Sequence, residues 1–297
     1  MSAKTTIRSL LLAAVLVLGM AMAAAQQPRV APTFTRVIPP AQLAFINSFA
    51  NQPAKLLLKD KRFKAVMKEI TPRSGYHYGG DMSLSEAVGG VMDTTTEPVT
   101  ILNGRYALVP GGVGPILSGR GLVWIDLDQG VVLGAFFFHP TNGEPTPSLT
   151  VYSRQLTQTQ LSMSQLPAAF AEDLDRWAVS ASVPLICAQY FIPANGNKYV
   201  LVHDENYCTV LSAQSVPQQR LCYRLTEEAA EVDMYAAFFM IKSHNKANAT
   251  GFPLGLQWRM SADQPAWLKA RENTCGGNPA CRIQMTRERT QALLQSR

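Results

Sequence analysis

Three apolar runs rich in β-branched and aromatic residues, at 99–109, 122–127 and 131–138, dominate the first half of this chain. Asn103-Gly104 interrupts the first, and Asp128-Gln129-Gly130 separates the second from the third. Asn, Asp and Gly tolerate the positive φ that tight hairpin turns demand, so apolar runs joined by them predict antiparallel neighbours. No other feature narrows the fold as much. It implies an antiparallel meander with an apolar face that a helix must cover. A helix is at hand in 54–70, where Leu56, Leu57, Phe63, Val66 and Met67 fall near helical spacing among lysines. After a Pro-rich stretch at 140–147, the run 149–152 offers a last strand.

The second half reads differently. A helix is expected over 167–178, with Phe170, Leu174 and Trp177 on one face, and a hairpin follows in which 190–192 and 198–203 flank Asn195-Gly196. The run 234–241 is apolar and aromatic enough for a buried strand or a buried helix, and periodicity leaves both open. From Ala266 onward the chain is polar and helical, broken only between Cys275 and Cys281, which predicts a helical hairpin stapled by one disulfide. The fold class is α+β: an antiparallel sheet packed by helices, a mixed α+β middle and a stapled helical C-terminus. The expected organisation is a signal peptide at 1–25, an α+β domain at 26–153, an α+β region at 154–261 and the helical hairpin at 262–297.

The assignment of 1–25 rests on Lys4 and Arg8, the apolar stretch 10–22 and Ala23-Ala24-Ala25, with cleavage expected before Gln26. The apolar stretch is shorter than the roughly 20 residues that spanning needs. Export into an oxidising compartment such as a bacterial periplasm is the expectation, with no membrane anchor. All five cysteines lie in the second half, and disulfides persist in such a compartment. Cys275 with Cys281 is the first expected bridge, because Gly276, Gly277 and Pro279 help the loop between them bend. Cys208 with Cys222 is the second, leaving Cys187 as a buried thiol. The 27 basic residues only modestly outnumber the 21 acidic ones. No Lys/Arg block or aromatic-basic stripe appears, so nucleic acid is not an expected partner.

Local signatures of chemistry are sparse. The chain has no Gly-x-Ser-x-Gly elbow and no Gly-Lys-Ser/Thr after a glycine loop, so neither a nucleophile elbow nor a phosphate cradle is expected. His203-Asp204-Glu205 sets three potential ligands in a row, but neighbours on a strand point to opposite faces. The reading is a polar strand end leading to Cys208 rather than a metal or catalytic site. His77 and His139 are isolated, and His244 reads as part of a solvated turn. No enzymatic activity, cofactor or metal is expected. The glycine-rich segment Pro110, Gly111, Gly112, Val113, Gly114, Pro115, Ile116, Leu117, Ser118, Gly119, Arg120 is a loop by composition. Two readings stay open for it, a structural turn and a protruding binding loop on a rigid sheet.

Two resemblances bear on that choice. The helix around Leu58-Lys59-Asp60-Lys61-Arg62-Phe63-Lys64, then Glu97-Pro98-Val99, Asn103-Gly104-Arg105-Tyr106, a loop and Gly121-Leu122-Val123-Trp124 resemble the inhibitor-of-vertebrate-lysozyme family. In that family the loop between those strands enters the lysozyme active-site cleft, and residues 110–120 stand in its place here. The family's loop carries a Cys-bracketed Lys-Pro-His-Asp core; this one has no Cys, His or Asp. At the other end, Trp267, Leu268, Arg271, Cys275, Cys281, Arg289 and Leu293 resemble the LprI-type lysozyme-inhibitor domain, with Thr286 where that pattern has Tyr. The resemblances imply a proteinaceous inhibitor of, or immunity protein against, lysozyme-like muramidases. It would plug the cleft with 110–120, and Arg105 and Arg120 would approach the acidic catalytic groups. The alternative is a non-catalytic envelope or peptidoglycan-binding scaffold using Tyr76 and Tyr78 beside Gly79-Gly80.

Overall fold

The computed structural model describes residues 34–296 apart from 78–80, 94, 96, 113–118, 139–147, 185, 206, 208–214 and 248–253. A single helical turn, α1 (Pro40–Leu43), opens it. Two short helices follow, α2 (Ala54–Lys59) and α3 (Lys61–Ile70), where the sequence predicts one helix over 54–70. Asp60 causes the break. It leaves helical φ/ψ, its carboxylate accepts the backbone N–H of Arg62 at 2.7 Å, and it thereby caps α3. Phe63, Val66 and Ile70 form the buried face of α3. After a small ribbon, β1 (Gly75–His77) with β2 (Asp81–Ser83), helix α4 (Leu84–Met92) starts on a capping box between Ser83 and Glu86.

The predicted meander is present as β3 (Thr100–Leu102), β4 (Tyr106–Pro110), β5 (Arg120–Asp126), β6 (Val131–Phe138) and β7 (Ser148–Tyr152), each antiparallel to the next. Asn103 and Gly104 both take positive φ, 52° and 66°, at the β3–β4 turn. Gly130 does so after β5, at 69°, where a Cβ would lie 1.8 Å from the Ile38 carbonyl oxygen.

The sheet does not end at β7. β9 (Ala188–Ile192) pairs with it in parallel, β10 (Tyr199–Val202) is antiparallel to β9, and the two-residue β8 (Leu161–Ser162) runs parallel to β10 at the edge. The result is one mixed sheet in the order β3-β4-β5-β6-β7-β9-β10-β8. The boundary expected at 153/154 therefore falls between strands of one sheet, inside a compact unit that spans Pro32–Arg297.

Both faces of the central strands are covered, which is why β5 and β6 are apolar almost without alternation. On one face Val123, Ile125, Val132 and Phe136 meet α2, α3 and α4 through Leu57, Phe63, Ile70 and Val91. On the other, Leu122, Trp124, Leu133 and Phe137 meet α5 (Ala168–Ser180) through Phe170, Leu174 and Trp177. Trp124 anchors that layer. Its indole Nε1 donates to the buried Asp173 carboxylate at 2.8 Å, and its ring stands edge-on to Phe170.

The run 234–241 is helical. It belongs to α6 (Val216–Ala247), which also takes up Ser243-His244-Asn245-Lys246, expected as a turn. Helices α7 (Leu254–Cys275) and α8 (Pro279–Gln295) complete the C-terminal module, joined by the Cys275–Cys281 disulfide. Met234, Ala237, Met240 and Ile241 of α6, with Leu293 of α8, pack on Ala188, Tyr190 and Val200 of the sheet. Among the described residues no helix is long and apolar enough to cross a membrane.

Candidate functional site

The loop 110–120 joins the ends of β4 and β5, and its stems are fixed. The ladder continues past Pro110, because the Gly111 N–H donates to the Gly121 carbonyl at 2.7 Å. Three glycines then let α4 lie against the stems. A Cβ on Gly111 would lie 2.3 Å from the Val91 carbonyl oxygen, one on Gly119 2.5 Å from the Phe138 ring, and one on Gly121 2.8 Å from Met92 Sδ. Pro110, Gly111 and Gly119 are buried, and Gly112 and Arg120 are half-buried. These glycines are small because they are crowded, and they form a footing rather than a flexible contact surface. Val113, Gly114, Pro115, Ile116, Leu117 and Ser118 lie outside the described residues.

Arg105 is not beside the loop. It precedes β4 at the opposite end of the strand, about 17 Å of chain from Pro110. There its guanidinium grips the buried Asp126 carboxylate with two bonds, of 2.9 and 2.7 Å. Burial opposes the charge on Asp126, but the Arg105 bonds and the amides of Gln129 and Asp128 outweigh it and hold its pKa below the usual carboxylate value. The fork geometry fastens the β3–β4 and β5–β6 turns to one another. Arg120, by contrast, opens β5 at the loop stem.

A second cluster lies where the sheet meets α6. His203 follows β10 directly and is fully buried. One carboxylate holds it twice: Asp233 accepts the His203 backbone N–H at 2.7 Å and meets its Nδ1 at 2.6 Å. Asp204 turns away to Ser164, accepting from its backbone N–H at 3.0 Å, so the row of three splits, just beyond the end of β10 rather than within a strand. The backbone carbonyl of Glu205 accepts from Arg287 of α8. Among the described residues His203 Nε2, Glu205 Oε2 and Arg287 Nε are buried without a hydrogen-bond partner. Asp233 is the residue that the sequence reading missed. Its signal was its place on the buried stripe of α6 with Thr226, Ala230, Ala237 and Met240, a lone acid at helical spacing among apolar neighbours. Among the described residues no group of three or more His, Cys, Asp or Glu side chains is arranged to hold a metal.

The residues of the C-terminal pattern converge. The guanidinium groups of Arg271 and Arg289 stand 5.5 and 5.8 Å from the Trp267 ring. Arg271 is buried and bonds Thr286 and Glu231, each at 2.8 Å, so Thr286 is part of the same contact. An open groove of about 690 Å³ runs between α6 and α8, lined by Tyr223, Thr226, Ile283, Arg287, Gln291 and Ala292 among others. Cys222 is disulfide-bonded, while its expected partner Cys208 lies outside the described residues. Cys187 is a free buried thiol, with its pKa pushed up to about 11 by burial. Tyr76 lies in β1; Tyr78, Gly79, Gly80 and His139 lie outside the described residues. No family model, curated protein or solved structure matches the chain.

Proposed function

We propose that this protein is an exported periplasmic inhibitor of, or immunity protein against, lysozyme-like peptidoglycan muramidases, and that it plugs their substrate cleft with the tip of the loop 110–120. The observation that carries this reading is the footing. Both stems are tied to each other through Gly111 and Gly121 and are packed under α4, so the base of the loop is fixed. A loop held at both ends loses less conformational freedom on binding than one that is free along its whole length. The plug needs no chemistry of its own. Arg120 opens β5 at the stem and would approach the acidic groups of such a cleft, whereas Arg105, bonded to Asp126 at the far end of β4, would not.

The test is cell-wall lysis by a panel of animal and bacterial muramidases, with and without residues 26–297 purified under oxidising conditions. A variant with 113–118 replaced by Asn-Gly is run alongside. Dose-dependent protection that disappears in the variant, with an unchanged melting curve, is the expected result. Protection that survives the replacement sinks the loop assignment. No protection from any enzyme, together with retention on peptidoglycan sacculi, moves the assignment to the envelope-scaffold reading.

A further inference from the structure

We propose that the His203–Asp233 contact is a proton-dependent latch: with the imidazolium in place the α6–α8 module stays docked on the β9–β10 side of the sheet, and loss of the proton loosens it. The inference does not depend on the inhibitor reading. It rests first on geometry. His203 belongs to the sheet and Asp233 to α6, and a single carboxylate spans the joint, bonding both the backbone and the ring of one residue. Beside the pair the joint has an apolar part, built from Ala188, Tyr190, Val200, Met234, Ala236, Ala237 and their neighbours, and a contact from Arg287 of α8 to the Glu205 carbonyl. The pair is therefore a buried charged element of the interface, where a change of one proton counts most.

The charged groups around it act in one direction. Burial alone would strip the proton from His203, but Asp233 on α6, with Glu205 and Asp204 on the segment that follows β10, outweighs burial and raises the imidazole above its ordinary 6.5. Burial also raises Glu205 and Asp233, against the pull of His203 on both and of Arg287 of α8 on Asp233. Burial first, and then the nearby charges of Glu205, Asp175 and Asp233, raise the Tyr207 hydroxyl above its ordinary value. The docked cluster thus binds protons more tightly than the separated residues do. A group whose pKa is raised on docking stabilises the docked form fully below its undocked value, and that stability is lost as pH rises through the docked value. Docking is therefore firm below 6.5 and weakens as pH rises through the raised value.

Three unpartnered buried atoms point to the same place. Among the described residues His203 Nε2 and Arg287 Nε have no acceptor and Glu205 Oε2 has no donor, so the cluster tolerates its charges without fully satisfying them. A latch of this kind holds while the charges balance and has little reserve once one is removed.

Hydrogen exchange on the full mature chain from pH 6 to pH 9, corrected for intrinsic exchange chemistry, reads the latch at the amides of β10 and of α6 near Asp233. Protection there is expected to fall about tenfold for each unit by which the imidazole is raised, while the β5–β6 amides stay constant. In His203→Gln, which keeps a donor for Asp233 but does not titrate, the fall disappears. Should that variant fail to fold, Glu205→Gln removes one supporting carboxylate and is expected to move the midpoint to lower pH. An imidazole titration by NMR gives a direct check. A His203 value below 6.5, or pH-independent protection in the unmodified chain, overturns the proposal.

Discussion

Substituting Gly111 by Ala tests how α4 sits on the loop stems. The added Cβ would lie 2.3 Å from the Val91 carbonyl oxygen, 2.9 Å from Met92 Sδ and 3.1 Å from the Gly121 carbonyl oxygen. Met92 can swing its thioether aside. The Val91 carbonyl cannot, because it belongs to helix backbone, and Gly111 cannot retreat while its N–H is bonded to Gly121. The helix must move by about 1 Å to restore an ordinary van der Waals separation. That movement loosens Leu84, Ala87, Val88 and Val91, all buried on the α4 face. Overpacking costs about 1–3 kcal/mol, and a clash with backbone places this one near 3 kcal/mol. At about 2–4 °C per kcal/mol for a chain of this size, Tm falls by roughly 6–12 °C. The paired control is Gly90→Ala. It lies on the exposed side of the same helix with nothing within 4 Å of its Cβ. It is expected to gain about 1 kcal/mol from helix propensity. Differential scanning calorimetry of both variants decides the matter. A Gly111→Ala chain melting within about 2 °C of the parent would refute the close packing of α4 on the stems.

Three further substitutions probe other joints. Asp173→Ala removes the acceptor of the buried Trp124 indole, costing about 2–3 kcal/mol, whereas Asp173→Asn keeps an acceptor and loses less. Urea midpoints followed by tryptophan fluorescence should separate the two, and equal losses would mean that the bond does not hold α5. Replacing Cys275 and Cys281 by Ser opens a loop of sequence separation 6 and should cost about 2 kcal/mol. Hydrogen exchange is expected to confine that loss to α7 and α8; a loss spread evenly through the meander would refute it. Asp126, lowered below its ordinary 3.8, contributes stability that is present above 3.8 and lost as pH falls through its folded value. Arg105→Met should therefore shift acid unfolding, followed by circular dichroism, to higher pH. It should leave muramidase inhibition unchanged, and a loss of inhibition would restore Arg105 to the contact surface.

Turn chemistry carried most of what could be read of the sheet. Asn103-Gly104 and Gly130 take the φ values that their residue types favour, and the strands follow from them. The break at Asp60 was not legible from periodicity, because Leu57, Phe63, Val66 and Ile70 keep an apolar face on both sides of it. A cap decided the outcome there, not the pattern. The helix α6 became legible only across its whole length, where Thr226, Ala230, Asp233 and Ala237 share a stripe that the short run 234–241 cannot display. The candidate loop illustrates a harder limit. Gly111, Gly119 and Gly121 look the same in sequence whether they are flexible or crowded, and the crowding comes from Val91, Met92 and Phe138, which local pattern does not connect to them. His203 was visible as a cluster member, but its partner lies thirty residues on, in a helix whose existence was itself undecided.

The middle of the chain resembles nothing in the sequence reading, yet the packing gives it a definite structural role. Leu122, Trp124, Leu133, Phe137, Leu149 and Val151 form one face of the meander; Leu156, Phe170, Leu174 and Trp177, all beyond residue 153, cover it, and Phe191 and Leu201 extend it through β9 and β10. Burial of such a side chain contributes about 1.5–3 kcal/mol, so uncovering six of them forfeits roughly 9–18 kcal/mol. A whole domain is stable by only about 5–15 kcal/mol. The meander therefore cannot keep this fold without α5 and the β9–β10 hairpin, whatever its loop binds. A chain limited to residues 26–153 is expected to aggregate or to remain molten, with dye binding to the exposed face and no cooperative melt. A monomeric fragment with a sharp transition would show that residues 26–153 are a domain in their own right and refute this accounting.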